Sequence, residues 1–123
     1  MISMLVAMLM VAAGETCPPE LIRLTPYESN PVFEGAGPGH WDEFIRERGW
    51  ILREDDGYHL WYTGYSSGDN AMKLGYATSP DGIVWTRHPD NPIYTEHWVE
   101  DMTVVKQGDT YYMFAEGAND QAH

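Results

Sequence analysis

The chain has 123 residues, 43% of them hydrophobic and 21% charged, which is the make-up of one soluble domain and excludes a disordered chain. Acidic residues outnumber basic ones 19 to 7, and the resulting net charge of −12 repels nucleic-acid phosphates and anionic lipid headgroups, so neither is an expected partner. Five Trp, eight Tyr and three Phe are more aromatic surface than so small a domain buries completely, and some of it must line a surface or cleft.

The chain opens with MISMLVAMLMVAAG, residues 1–14, an apolar run of signal-peptide length that is too short to span a bilayer. Ala12 and Gly14 supply small residues for cleavage before Glu15, so a secreted or periplasmic location is expected, although no basic residue follows Met1. Cys17 is a single thiol without a partner for an internal disulfide or a flanking basic group, and reads as inert. Residues 15–39 are rich in Pro and Gly and read as an extended lead-in. Their Gly35-Ala36-Gly37-Pro38-Gly39 run is not a phosphate loop, because Pro38 removes a backbone donor and no Lys-Ser/Thr or helix follows.

From there the pattern is that of strands. Trp50 to Arg53 leads through Asp55-Asp56-Gly57 into Tyr58–Tyr65, which predicts a hairpin. Ser66 to Asn70 is a second turn, Met72–Ser79 a third strand, Pro80-Asp81-Gly82 a third turn and Val84–Thr86 a short fourth strand. Four antiparallel strands in sequence make a meander, and no later stretch has helical periodicity with caps, so an all-β fold is expected.

The segment also repeats. Asn30-Pro31-Val32-Phe33 recurs as Asn91-Pro92-Ile93-Tyr94, His40-Trp41 as His97-Trp98, and residues 51–65 as 103–117. The spacings are 91 − 30 = 61, 97 − 40 = 57 and 103 − 51 = 52, a drift that loop insertions explain because loops tolerate length change. A four-stranded unit repeating about every fifty to sixty residues has the size of a β-propeller blade. The first blade is expected at about 45–87 and the second from about 100, within a partial propeller domain at 40–123.

The phrases DGYHLWYTGY, LGYATSPDGIVWTRHPDNPIY and VEDMTVVKQGDTYYMFAEG resemble the five-bladed β-propeller glycoside hydrolases: the assemblage of family 43 arabinanases and xylosidases, family 32 fructosidases and family 130 mannoside phosphorylases. The likeness spans roughly residues 30–123 and, by the repeat criterion, is stronger for fold than for substrate. It implies one and a half to two blades of five, and a chain that is the N-terminal piece of a longer protein. Open blade edges in such a piece make self-association an expected partner mode.

The resemblance puts catalytic carboxylates where the innermost strand of each blade begins. Glycosidic cleavage needs one protonated carboxyl to protonate the leaving oxygen and one carboxylate to activate water or attack the sugar. Glu100-Asp101, read as directly preceding a strand at Met102–Lys106, matches the second-blade position, with Asp101 as the tuning or charge-stabilising group. In the first blade Arg48-Gly49 aligns with that pair, a departure from the family's Asp. Glu47 is then the nearest general-base candidate, with Asp42 behind it. The arginines Arg46 and Arg48 would hold Glu47 ionised, or would bind a carboxylated or sulfated sugar. A charged turn with surface ion pairs is the plainer reading of the same residues. Trp98 and Trp41 offer flat apolar faces for a sugar ring, as does Trp50 unless it packs between blades. Glu116 ends the second strand of its blade and is a substrate contact rather than the acid. Asp120 and His123 extend that set, although a chain-terminal His is prone to fraying. The resemblance implies an acid opening a third blade, beyond this sequence.

The five His lack zinc-site spacing and no all-oxygen calcium loop is present, so no metal or cofactor is expected. Ser66, Ser67 and Ser79 lack a nucleophile-elbow context. Three functions follow: a carbohydrate-cleaving enzyme, a silent carbohydrate-binding propeller, or a structural β-repeat that assembles with its copies.

Overall fold

In the computed structural model, which describes Pro18, residues 23–46 and residues 48–117, every regular element is a strand. They are β1 (Phe44–Ile45), β2 (Trp50–Glu54), β3 (Gly57–Tyr65), β4 (Lys73–Ser79), β5 (Thr86–Arg87), β6 (Glu100–Gln107) and β7 (Thr110–Glu116). All strand pairings are antiparallel, so the protein is all-β. The expected signal segment 1–14, together with Cys17, Glu47, Asp120 and His123, lies outside the described residues.

Strands β2 to β5 form the meander that the turn residues predict, with β3 at its centre. One edge of β3 holds β4; the other holds β2 and, beyond its end, β1. The sequence gives no sign of β1, because two residues carry no alternation to read. Since β1 and β2 follow the same edge of β3, the pairing along that edge breaks between Ile45 and Trp50. The fourth strand begins two residues later than the sequence predicts. Asp81 Oδ1 accepts the N–H groups of Ile83 and Val84 at 2.8 and 2.9 Å, and Ser79 Oγ accepts that of Gly82 at 2.8 Å. Backbone donors a strand would use are therefore spent inside the turn.

Both faces of the central strand are covered, which is why GYHLWYTGY shows no apolar–polar alternation. On one face Leu60, Tyr62 and Ala77 pack beneath Phe33, Trp41 and Trp85, so the Pro/Gly-rich lead-in covers the core without being a strand. Tyr62 lies opposite Gly75, and a Cβ at Gly75 would stand 2.3 Å from the Tyr62 ring. Only glycine leaves that ring its place. On the other face Trp61 and Leu74 meet Val99, Met102 and Val104, with Trp50, Leu52 and Tyr76 at the margin. Trp50 thus packs between the two sheets, where its indole N–H is buried without a hydrogen-bond partner among the described residues.

The second sheet is the hairpin of β6 and β7. Both hairpins close through two-residue turns, Glu54 pairing with Gly57 and Gln107 with Thr110. Turn geometry therefore relates the two units by 107 − 54 = 53 residues, one more than residue similarity indicates. One residue reverses every facing in a strand, and the burial agrees with 53. Val104 and Met113 face the first sheet; their counterparts Ile51 and Leu60 point to its far side. The two units consequently stack with the same side forward. The Asn30–Pro31 and Asn91–Pro92 peptides, which precede the two units, are both cis.

Candidate functional site

The break in the first sheet and the start of β6 meet at one end of the molecule. Arg46 Nε donates to Glu100 Oε1 at 2.7 Å, and Arg48 lies 2.6 Å from Asp101 Oδ2. Trp98 closes the group, its indole N–H donating to Glu100 Oε2 at 2.6 Å. A backbone bond from Arg46 N to the Thr63 carbonyl at 2.9 Å and one from Thr63 Oγ1 to the Val99 carbonyl at 2.9 Å fix the break and the β6 entry to the same strand.

Local backbone chemistry decides how the two acids point. Glu100 and Asp101 are the first residues of β6 itself, not the loop before it, and the register slips between Glu100 and Thr103. Such a bulge bends a strand and re-aims one side chain. Asp101 sits there at φ 46°, the one non-glycine residue with positive φ among those described. Glu100 is mostly covered, its side chain 14% exposed, whereas Asp101 is more open and Arg48 is mostly exposed. Glu116 lies directly across from Glu100 in the hairpin; the Arg46 guanidinium offsets the repulsion expected of two facing carboxylates.

Trp41 belongs to the same end. One side of its indole stacks on Tyr62 at 5.9 Å, and the residue borders an open cleft of about 430 Å³ with His40, Glu43, Ser66, Ser67 and Lys73. The N–H and hydroxyl of Ser67 both bind Glu43 Oε2, at 3.0 and 2.7 Å, and hold its carboxyl below the usual range. Asp42, in contrast, is turned inward and only 1% exposed. Its Oδ2 accepts from Tyr62 Oη at 3.0 Å and from Arg87 Nε at 2.7 Å, tying the lead-in to β3 and β5. Burial, and then the charge of Asp42, push the Tyr62 phenol well up.

A second polar cluster, at the opposite end of the sheets, has no counterpart in the sequence reading. Glu54 binds Lys106 and Tyr111 across the two sheets, and His59 bridges Asp56, at 2.9 Å, and the Tyr76 hydroxyl. Hydrogen bonds from Lys106 and then Tyr111 hold the Glu54 carboxyl low; that from His59 does the same for Asp56. Glu54, Asp56 and His59 bring potential metal-ligand atoms within 4.8 Å of one another. Each already has a protein partner, so the cluster acts as a clasp between the sheets. Its one sequence signal is Asp56 inside a tight turn with His59 shortly after it.

Of the sequence-selected residues, Arg46, Arg48, Trp98, Glu100, Asp101 and Glu116 thus converge, Trp41 borders the neighbouring cleft, and Asp42 lies within the core. Compared with protein-family models, curated proteins and solved structures, the chain matches none. No helix among the described residues is long and apolar enough to cross a membrane.

Proposed function

We propose that the protein is an exported, carbohydrate-active β-propeller of the glycosidase type, and that sugar meets it at the Arg46–Arg48–Glu100–Asp101 end. The observation that carries this reading is Asp101: a non-glycine residue at φ 46° on a bulge, aimed beside an arginine. Backbone outliers of this kind persist where the surroundings over-determine them, and they gather at binding and catalytic sites. Two further features support it. The hairpin units stack same side forward, as propeller blades do. Carboxylates, guanidinium groups and indoles are the donors, acceptors and flat faces that hydroxyl-rich rings require.

In such chemistry the ion-paired Asp101 and Glu100 suit the ionised side of the reaction: steering water or stabilising the positive charge that develops on the sugar ring. The proton donor would come from outside the described residues. Pairing of both carboxylates with arginine also favours a second reading, saccharide binding without turnover. The test is a panel of neutral oligosaccharides and aryl glycosides against the parent chain and Asp101→Asn. Binding or turnover by the parent that is lost in the variant, with an unchanged melt, is the expected result. A parent chain that neither binds nor cleaves any of the panel would overturn the proposal.

A further inference from the structure

The cleft beside Trp41 is lined from two turns, each closed by its own hydrogen bonds. In the first, the His40 N–H donates to the Gly37 carbonyl and the Glu43 N–H to the His40 carbonyl, both at 3.3 Å. Asp42, buried between Trp41 and Glu43, anchors that turn in the core. In the second, the Asp69 N–H donates to Ser66 Oγ at 3.2 Å and the Ser66 N–H to the Asp69 carbonyl at 3.4 Å. Ser67 joins the two turns through its pair of bonds to Glu43 Oε2. The Trp41 indole is half-buried, seated on Tyr62 and over Gly64, where a Cβ would stand 2.7 Å from its ring. Both the indole and the carboxylate are therefore held in place before anything enters the cleft.

Glu43 presents one free acceptor. Its Oε2 already takes two hydrogen bonds, and Oε1 has no partner among the described residues. The same bonds, the Ser67 N–H first and its hydroxyl second, hold the carboxyl low, so it is charged at neutral pH. Lys73, which also lines the cleft, does not offset that charge, because its ammonium is paired with Asp69 at 2.6 Å. A carboxylate without a counter-ion next to an indole is a setting that attracts organic cations, the ring face and the anion acting together, and the net charge of −12 draws cations from further away. The single free oxygen selects among them. A guanidinium grips a carboxylate through two parallel N–H···O bonds and needs both oxygens, whereas an ammonium is a point charge that one oxygen can satisfy. A hard metal ion needs several oxygen ligands, and Glu43 is the one carboxylate lining the cleft.

We infer that this cleft is a binding site for a small organic ammonium ion, carried on an alkyl amine or an amino sugar, whose N–H donates to Glu43 Oε1 while its carbon frame lies on the Trp41 indole. The cleft volume of about 430 Å³ falls within the range of small-molecule sites. The inference stands apart from the carbohydrate reading, since neither Trp41 nor Glu43 belongs to the Arg46–Asp101 group.

Nitrogen-15 NMR of the 123-residue chain at about pH 7, where amines carry their proton, reads the site through the Trp41 indole and the Ser67 amide that Glu43 holds. n-Butylammonium chloride should move both signals saturably, with a dissociation constant on the order of a millimolar, and leave the Trp98 indole unmoved. n-Butanol and glucose, which lack the charge, should not bind there, and n-butylguanidinium should bind more weakly. Glu43→Gln keeps an oxygen for Ser67 but removes the charge, and should weaken binding by about tenfold or more. Asp109→Asn removes the same charge from the exposed β6–β7 turn and should change affinity by less than about twofold. Trp41→Phe, with a weaker cation-attracting ring, gives a second reading if Glu43→Gln does not fold, and should loosen binding by about threefold or more. Glucosamine binding tighter than n-butylammonium supports an amino sugar as the source of the ammonium, and the reverse order supports an alkyl amine. No saturable shift, equal binding of butanol or glucose, tighter binding of n-butylguanidinium, or full affinity in Glu43→Gln would each overturn the inference.

Discussion

Asp42→Ala removes the one acceptor that serves both Tyr62 Oη and Arg87 Nε. Deleting one partner of a buried ion pair costs about 3–5 kcal/mol, but a third of the Arg87 side chain reaches solvent, which hydrates the orphaned guanidinium and lowers the figure. Arg87 also keeps the Glu34 carbonyl. Tyr62 keeps the Asn91 amide, a donor to its oxygen at 3.2 Å, and loses its acceptor. The expected loss is about 2–4 kcal/mol, a large share of the 5–15 kcal/mol typical of a domain. For a chain of this size it lowers the melting temperature by roughly 10–25 °C. Urea denaturation followed by tryptophan fluorescence measures it, since Trp41 stacks on Tyr62. Asp42→Asn keeps one acceptor oxygen and should lose about 1–2 kcal/mol. Adding Arg87→Leu to Asp42→Ala should recover part of the loss, because the stranded charge goes with it. A loss below about 1 kcal/mol for Asp42→Ala, or no recovery in the double variant, would refute the assignment of Asp42 to the core.

Three further outcomes follow from the same geometry. Gly75→Ala pushes a methyl to 2.3 Å from the Tyr62 ring and should cost at least about 1–3 kcal/mol by denaturation, as overpacking does. Asp101→Gly relieves the positive φ while losing a partly exposed ion pair; its stability should stay within about 0.5 kcal/mol of the parent, whereas Asp101→Ala loses about 1–2 kcal/mol. Glu54, Asp56 and Asp81 are held below their ordinary values of 4.5, 3.8 and 3.8. A carboxyl lowered by folding stabilises the native state above its unfolded value and loses that contribution as pH falls through the folded one. The melting temperature should therefore drop below about pH 4.5, and Glu54→Gln should make the drop shallower.

Turn chemistry made much of this fold legible from residues alone. Asp55-Asp56-Gly57 and Pro80-Asp81-Gly82 mark real turns, and β2, β3 and β4 lie within a residue or two of where the sequence predicts them. The errors have physical causes. Asp81 spends the donors of residues 83 and 84, which delays β5. Residue similarity aligned the two hairpins at 52, but turn length fixes 53, so the shared facing of the two units was hidden. At the candidate site, sequence reading named Arg46, Arg48, Glu100 and Asp101 without their pairing across the two sheets. The arginines' partners in β6 are 54 and 53 positions away, and no local pattern announces so distant a contact. The clasp of Glu54 with Lys106 and Tyr111 escaped notice for the same reason.

The most direct measurement for the central claim is a nitrogen-15 NMR titration with neutral arabino-, xylo-, fructo- and manno-oligosaccharides, watching the Trp98 indole and Arg46 Nε signals. Both protons are held by Glu100, so a sugar that engages this end must disturb them. The account predicts saturable shifts there and at Asp101, with the Glu54 end unmoved. No shift with any of the sugars, or shifts confined to the Glu54 end, would contradict it.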